Sequence, residues 1–499
     1  MSSFYITTAI PYVNSTPHIG FALELVQADT LARHRRSRGD GVRFLTGTDD
    51  NSLKNVQAAH TEGIDIGHLV DRNAGHFEAL REPFDLSFDD FIRTSSDPRH
   101  APGAARLWEA AVAAGDLYKK PYQGRYCVGC EQFYSEEELV DGRCPEHGTV
   151  PQPIAEDNWF FRLSRYARQL RELIASDTLR IRPEVRKNEV LGFIDGGLTD
   201  FSVSRSAERS HGWGVPVPGD PSQVMYVWFD ALSNYINALD YATTGESFQQ
   251  WWTDGDQRVH VIGKGIIRFH AVYWPAMLLS AGLRLPSEIL VHDYLTAGGR
   301  KIGKSLGNAI DPVAIVEQYG GDAVRWWLLR EVPQVGDTDF TVDRLVNRAN
   351  EDLANGLGNL VNRVTSMVHK YREGRVPELT SQVREQLDDI AARVSQAIDS
   401  AMADYDLRAA ASAVWELVDQ ANRFVQTSRP WDLAKAERTG DEEAGRQLDL
   451  VLARLVADCR LIGLELQPFL PRLAERVTAA CAGDPLPTPV PVFPRLELD

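Results

Sequence analysis

Short runs rich in β-branched and apolar residues (FYITTAI, VRFLTGT, DFIRTS) alternate with helical stretches from residue 4 to about 115. The texture returns from about residue 224 in VMYVWFDAL, RVHVIGKG and EILVHDYL. Alternation of this kind marks βαβ units and therefore a parallel sheet. A Cys-containing, Gly- and turn-rich stretch separates the two halves, so the pattern predicts one doubly wound sheet split by an inserted module. Ligands of such sheets sit at the carboxyl ends of the strands, where both halves contribute loops.

Beyond about residue 340 the alternation stops. Val383, Leu387, Ile390, Val394, Ile398, Met402 and Tyr405 recur at steps of three and four, which predicts an amphipathic helix. A second helix is expected from near Leu407 through Val414, Leu417 and Phe424, and a third over 447–466, stopped by Pro468. The last stretch, GDPLPTPVPVFPRLELD, is too proline-rich for a helix and is expected to lie extended over a surface. The fold class that follows is α/β with an all-α C-terminal bundle. The extended tail is expected over 486–499.

A chain of 499 residues exceeds one ordinary core and predicts several domains. The start MSSFYITTAI lacks a basic leader, and no apolar run approaches the ~18 residues of a membrane span, so a cytoplasmic chain without a membrane partner is expected. The formal net charge of −17 argues against non-specific coating of nucleic acid, although not against a local basic surface. The densest basic runs, ARHRRSRG (32–39) and RIRPEVRK (180–187), are read first as solvated faces. An odd total of five cysteines disfavours a disulfide framework, and Cys459 and Cys481 read as core thiols.

Three stretches carry chemistry. Cys127, Cys130, Cys144 and His147 follow C-x2-C-x13-C-x2-H, two chelating turns that suit four-coordinate structural zinc. STPHIGFALE sets His18 and Gly20 at the mouth of a helix behind a strand, where unpaired N–H groups and the helix dipole attract phosphate. GGRKIGKSLGN (298–308) is a glycine-flanked loop carrying Lys301, Lys304 and Ser305, suited to lying over a polyphosphate. It lacks the Walker A order, and alone it reads equally as a basic surface turn.

Together HIGF (18–21) and KIGKS (301–305) resemble the paired signatures of class I aminoacyl-tRNA synthetases. AIPYVNSTPHIG, RFLTGTD, the single zinc knuckle, NWFFRLSRY, YVWFDALSNYINAL, RFHAVYWPAML and KSLGN occur in the order and spacing of the methionyl-tRNA synthetase family. The resemblance spans essentially the whole chain. It implies a split Rossmann-type sheet (1–115 and 224–325), a connective insertion with the zinc knuckle (116–223), a stem-contact linker (326–350) and a helical anticodon-binding domain (351–485).

The resemblance also implies roles for residues. The methionine pocket maps to Ala9, Ile10, Tyr12, Asp49, Trp228, Ala231, Leu232, Tyr235, Ile266, Phe269, His270 and Trp274. Asp49 would hold the substrate ammonium and the rings would suit the thioether. His18, Gly20, Glu24, Gly263 and Lys304 map to ATP contacts. Lys301, Lys304, Ser305 and Arg205 join His18 and Gly20 in the catalytic set. Asn359, Arg363 and Trp431 match anticodon contacts, with Trp431 alone reading as core. The implied reaction joins L-methionine to ATP, with Mg²⁺ and a structural Zn²⁺. The acyl group then passes to the initiator and elongator forms of tRNA(Met), by a chain whose default state is a monomer.

Four segments depart from the family pattern: Phe21 replaces a histidine, KIGKS carries Ile302 and Gly303, the family's TDEHG appears as TDDNS (48–52), and Gly265 replaces an aspartate. All four are read as falling on the nucleotide side. The favoured reading is an active synthetase with compensating groups. The alternative is a paralogue that binds methionine or tRNA, or donates an adenylate elsewhere, without charging tRNA.

Overall fold

β1 (Ser3–Thr8) is a central strand because both its faces are covered, every side chain from Phe4 to Thr8 being buried. The computed structural model describes every residue except 1, 130–131, 135, 146–147, 303–306 and 499, and only the backbone of 122, 132 and 301. The chain divides into two units. One comprises Met1–Pro17, Arg38–Arg81 and Ser87–His292, the other His18–Ser37, Glu82–Leu86 and Asp293–Asp499.

In the first unit β1 is joined by β2 (Gly41–Thr48) and β3 (Asp90–Arg93). The excursion that follows carries β4 (Leu117–Cys127), β5 (Gln132–Tyr134), β6 (Gln152–Phe161), β7 (Arg180–Arg182), β8 (Phe201–Ser202), β9 (Ser204–Ser206), β10 (Pro216–Val217) and β11 (Asp220–Met225). β12 (Gln257–Gly263) and β13 (Glu288–His292) then return to the main sheet. Its order is β3-β2-β1-β12-β13-β7, with all pairs parallel. The strand order reverses between β1 and β12, so their carboxyl ends bound the crevice where such sheets take ligands.

The excursion is not wholly outside this sheet. β7 is its edge strand, with Ile181 fully buried and Arg180 paired to Glu288 at 3.4 Å. The basic run 180–187 is therefore partly engaged within the chain rather than a wholly free face: Lys187 bonds Asp177 at 2.8 Å and Arg186 bonds Glu189 at 2.7 Å. The rest of the excursion forms an antiparallel sheet, β5-β4-β6-β8, and a smaller one, β10-β11-β9.

In the second unit the helix Ile19–Ser37 is buried on most faces by small and apolar residues, which suits an element packed all round. It packs with the helix Gly321–Arg330 through a buried charge node. Asp29, fully buried, receives the Arg325 guanidinium at 2.8 Å and Arg33 at 2.9 Å. Arg325 also donates to the carbonyls of Phe84 and Phe469, both at 2.9 Å. Arg33 donates besides to the carbonyl of Asp85 at 2.6 Å, so part of the 32–39 run is also engaged internally.

The bundle helices are Asn359–Arg372, Ser381–Ala403, Leu407–Ser428, Pro430–Arg438, Glu442–Leu466 and Pro471–Ala480. The periodic apolar positions located the three longest. The helix placed at 447–466 begins earlier because Asp441 caps it, accepting the Ala444 N–H at 3.0 Å. The tail is extended as expected. Leu486 donates its N–H to Gly374 O at 2.8 Å and Leu496 its N–H to Asn350 Oδ1 at 2.7 Å. Cys459 and Cys481 are fully buried. Among the described residues no helix is long and apolar enough to cross a membrane.

Removing Arg325 leaves Asp29 buried with one cation fewer and strands two carbonyls. Arg325→Met should cost about 3 kcal/mol, seen calorimetrically as a Tm lower by roughly 6–12 °C. Arg33→Met, at a more exposed site, should cost less. An unchanged Tm for Arg325→Met would remove the node from the account of stability.

Candidate active site

The mouth of the helix Ile19–Ser37 is closed by the protein's own acceptors. Ile19 donates its N–H to Ile310 O at 3.0 Å, Gly20 to His18 Nδ1 at 3.1 Å, and Phe21 to His18 O at 2.9 Å. These three N–H groups are thus engaged within the chain rather than held open for an anion. What the mouth offers is the imidazole. Because Nδ1 accepts from Gly20, the proton of neutral His18 sits on Nε2, the nitrogen with which it can donate to a phosphate. A side chain at Gly20 would lie 2.9 Å from His18 Cε1, so glycine is what lets the ring fold over the backbone. Phe21 packs on that ring, centroids 4.5 Å apart. Glu24, one turn on, is buried.

The second loop grows from a hairpin, β14 (Leu295–Ala297) and β15 (Arg300–Lys301), turned by Gly298 and Gly299 at φ of 62° and 71°. Two consecutive positive φ values are the demand of a tight hairpin turn and select glycine. Asp339, on β16 (Thr338–Asp339), pins the turn by accepting from the Gly299 N–H and the Thr296 hydroxyl, each at 2.8 Å. Those bonds hold its carboxyl below the ordinary range. Ile302 is buried. Lys304 and Ser305 lie outside the described residues, and Lys301 is described by its backbone alone. Downstream, Asp311 caps the helix Pro312–Tyr319, accepting from Val313 at 2.9 Å. Ile310, which receives the Ile19 N–H, therefore stands between this loop and its stop, and ties the mouth of the first signature helix to the chain that follows the loop.

In the first unit, the carboxyl end of β1 is tied to β12 by Ala9 N–H donating to Val261 O at 3.2 Å. Tyr12 and Asp49 pair as a parallel bridge, and Asp49 donates its N–H to Pro11 O at 2.9 Å. A train of rings follows. Tyr12 meets Trp228 edge-on at 6.4 Å, Trp228 stacks on Phe269 at 3.7 Å and 5°, and Trp228 meets His270 edge-on at 6.2 Å. Tyr235 donates its hydroxyl to His270 Nε2 at 2.7 Å, and Trp274 lies 6.1 Å from Tyr235. Ala231 and Leu232 are buried, while Ala9, Ile10, Tyr12 and Ile266 are partly buried against this apolar cluster. The residues mapped to a thioether pocket thus form one aromatic body. Trp228 Nε1 is buried without a hydrogen-bond partner.

His270 Nδ1 lies 3.0 Å from Ile266 O, and a carbonyl only accepts, so Nδ1 carries the proton and Nε2 is the acceptor for Tyr235. Burial pushes the pKa down to about 4, and His270 is neutral near pH 7.

Sequence reading missed a buried polar network beneath this body. Asp230 accepts from His100 Nε2 at 2.5 Å and Asn51 Nδ2 at 2.7 Å, while Asn237 donates to His100 O at 3.1 Å. The departures in TDDNS are consumed here rather than on a nucleotide face. Asn51 serves Asp230. Asp50, fully buried, accepts from Thr48 at 2.8 Å, Ser95 at 2.6 Å and Arg93 at 3.0 Å. Ser52 caps the helix Leu53–Glu62, accepting from Lys54 N–H at 3.0 Å. Gly263 ends β12, and Gly265, in place of the family's carboxylate, is exposed just beyond it. Arg205, on β9, is only 4% exposed and lies over the Tyr226 ring at 5.6 Å.

Cys127 and Cys144 are buried in one small cluster with Tyr134, neither in a disulfide. Cys130 and His147 lie outside the described residues, and among the described residues no group of three or more His, Cys, Asp or Glu is placed to hold a metal. On the bundle, Asn359 is exposed and Arg363 half-buried one turn later on the same helix. Trp431 is 39% exposed, so this ring is not core.

The family model for tRNA synthetases class I (M) matches residues 4–153 and 146–365. The methionine–tRNA ligase of Brucella suis is 42% identical over 516 residues, covering 99% of this chain and 98% of the relative. That of Mycobacterium tuberculosis is 41% identical over 525 residues, covering 100% and 98%. The structure of M. tuberculosis methionyl-tRNA synthetase in complex with methionyl-adenylate superimposes with a TM-score of 0.92 at 39% identity, over 99% of this chain and 100% of that one. Its apo form superimposes with a TM-score of 0.85 at 37% identity. By these matches, which run the length of the chain and agree with both signature segments, the protein belongs to the methionine–tRNA ligase family of class I tRNA synthetases.

Proposed function

We propose that this chain activates L-methionine with ATP and transfers it to the 3′-terminal adenosine of tRNA(Met), as a cytoplasmic monomer. The observation that carries the reading is the Ile19–Ile310 bond, which sets the His18 imidazole beside the chain leaving the 301–305 loop. A methionine carboxylate oxygen attacks the α-phosphorus, the α–β phosphoanhydride breaks, and pyrophosphate leaves. The tRNA hydroxyl then attacks the acyl carbon and AMP leaves. Catalysis of this kind is positioning plus charge neutralisation.

The residues divide that work. Asp49 takes the substrate ammonium, and Ala9, Ile10, Tyr12, Trp228, Ala231, Leu232, Tyr235, Ile266, Phe269, His270 and Trp274 enclose the thioether. His18 donates from Nε2 to the triphosphate over Gly20. Lys304, with Lys301 and Ser305, neutralises the departing pyrophosphate. Glu24 and Gly263 are further nucleotide contacts, and Arg205 belongs to the catalytic set. Mg²⁺ supplies further neutralisation of the phosphates when bound. Cys127, Cys130, Cys144 and His147 would hold a structural Zn²⁺; the two buried, unbridged thiols fit such a donor set. Asn359 and Arg363 read base edges of the anticodon, and Trp431 offers its exposed ring for stacking.

Methionine-dependent exchange of labelled pyrophosphate into ATP, followed by charging of both forms of tRNA(Met), tests the reading directly. Exchange without charging would convert the protein into an adenylate donor, and no exchange would make it a binder. Lys304→Ala should slow exchange on the order of 10²-fold, about 3 kcal/mol in the barrier, while methionine affinity holds. A wild-type exchange rate refutes that role. Trp431→Ala should weaken charging and spare exchange; equal loss of both would sink the stacking role.

The neutral His270 makes a pH prediction. Its folded pKa of about 4 lies below the unfolded value near 6.5, so the unfolded chain takes up the proton first and stability falls as pH drops through that window. The Tm of His270→Gln should therefore fall less steeply between those pH values than that of the wild type. Parallel Tm curves would show that His270 does not titrate in this way.

A further inference from the structure

His260 sits in the middle of β12 and is fully buried, in a parallel sheet where an aliphatic residue would pack without polar cost. Its two nitrogens are both used. Trp274 donates its indole N–H to His260 Nε2 at 3.2 Å. Indole nitrogen only donates, so Nε2 is unprotonated and Nδ1 carries the hydrogen. Nδ1 lies 2.7 Å from Thr7 Oγ1, its register partner across the β1–β12 pair, which therefore accepts. Burial pushes the His260 pKa well down, in keeping with a neutral ring.

The faces are used as well. Tyr235 stacks on one at 4.2 Å and 29°, and Trp252 lies at 6.1 Å and 27°. Tyr235 in turn donates its hydroxyl to His270, and His270 is anchored on Ile266 O. The ring thus meets three members of the aromatic body directly: Tyr235, Trp274 and, edge-on at 6.4 Å, His270. None of these contacts reaches a phosphate-side residue of the first unit.

We infer that His260 is a positioning residue for the methionine cavity: its face seats Tyr235, its Nε2 fixes the Trp274 indole, and Thr7 sets the tautomer that makes this possible. The inference rests on the methionine reading above. An apolar residue at 260 keeps the packing yet leaves the buried Trp274 N–H without its acceptor, so the indole loses the bond that fixes its orientation in the wall. Because the loss falls on the amino-acid side, it separates methionine from ATP in the kinetics.

The test is methionine-dependent pyrophosphate exchange with methionine and ATP varied in turn, on the full chain. His260→Phe keeps a stacking ring and removes the acceptor; it should raise KM for methionine about tenfold, with kcat and KM for ATP within about twofold. His260→Gln returns an acceptor toward the indole and should recover most of that loss. Thr7→Val, outside the cavity, should move KM for methionine in the same direction, and it decides the matter if His260→Phe does not fold. Variants that leave KM for methionine within twofold overturn the inference. So does a common shift of both KM values and kcat with a lowered Tm, which is what a merely structural histidine predicts. A wild-type chain without methionine-dependent exchange overturns the functional reading instead, whereas an active wild type beside an unmoved His260→Phe overturns the inference alone.

Discussion

The backbone bond from Ile19 to the carbonyl of Ile310, 3.0 Å long, joins segments separated by most of the catalytic sequence. A backbone donor and acceptor admit no substitution by side-chain chemistry, so the mouth of the first signature helix and the exit of the second signature loop are held in register whatever residues decorate them. The Asp29–Arg325 node ties the same first helix to the helix Gly321–Arg330 deeper in the second unit. A buried ion pair adds little net stability when compared with an apolar replacement, yet each partner is costly to remove alone, and its directionality fixes which elements meet. His18 then needs only Gly20 beneath its ring to present Nε2.

On the reading proposed above, the aromatic body of the first unit takes the thioether. A thioether is recognised by shape and polarizable rings, so the wall must be apolar and still hold its rings at set angles. Aromatic packing alone leaves rotational slack. Here the slack is removed by neutral imidazoles, His270 under the Tyr235 hydroxyl and His260 under the Trp274 indole. Each is held neutral by burial and oriented by an acceptor on its far nitrogen. The Asp230–His100–Asn51 network plays the corresponding part beneath the 228–232 segment.

Much of this was legible in the sequence where one residue type implies one local consequence. Alternating apolar runs gave the strands, and steps of three and four located the helices over Ser381–Ala403 and Leu407–Ser428. The spacing of Cys127, Cys130, Cys144 and His147 pointed to zinc, a set of which the described residues include only Cys127 and Cys144, and the family resemblance named the residues that form the aromatic body. What stayed hidden depends on partners far apart. β7 is three residues long with arginines at both ends, and it is a strand because β13, distant in sequence, pairs with all three residues. His260 shows no periodic signal, because a strand buried on both faces has none. Asn51 looked like a lost histidine until Asp230 stood opposite it. The first N–H groups of the signature helix looked open to phosphate, since nothing local announces that Ile310 takes one of them.

A double-mutant cycle on His18→Ala and Lys304→Ala, read as the single-turnover rate of methionyl-adenylate formation, tests most directly whether the two signature segments act on one triphosphate. Groups that grip the same leaving charge are coupled, so the double variant should lose far less than the product of the two single losses. Strictly multiplicative losses would contradict the account, placing the imidazole and the lysine in independent sites.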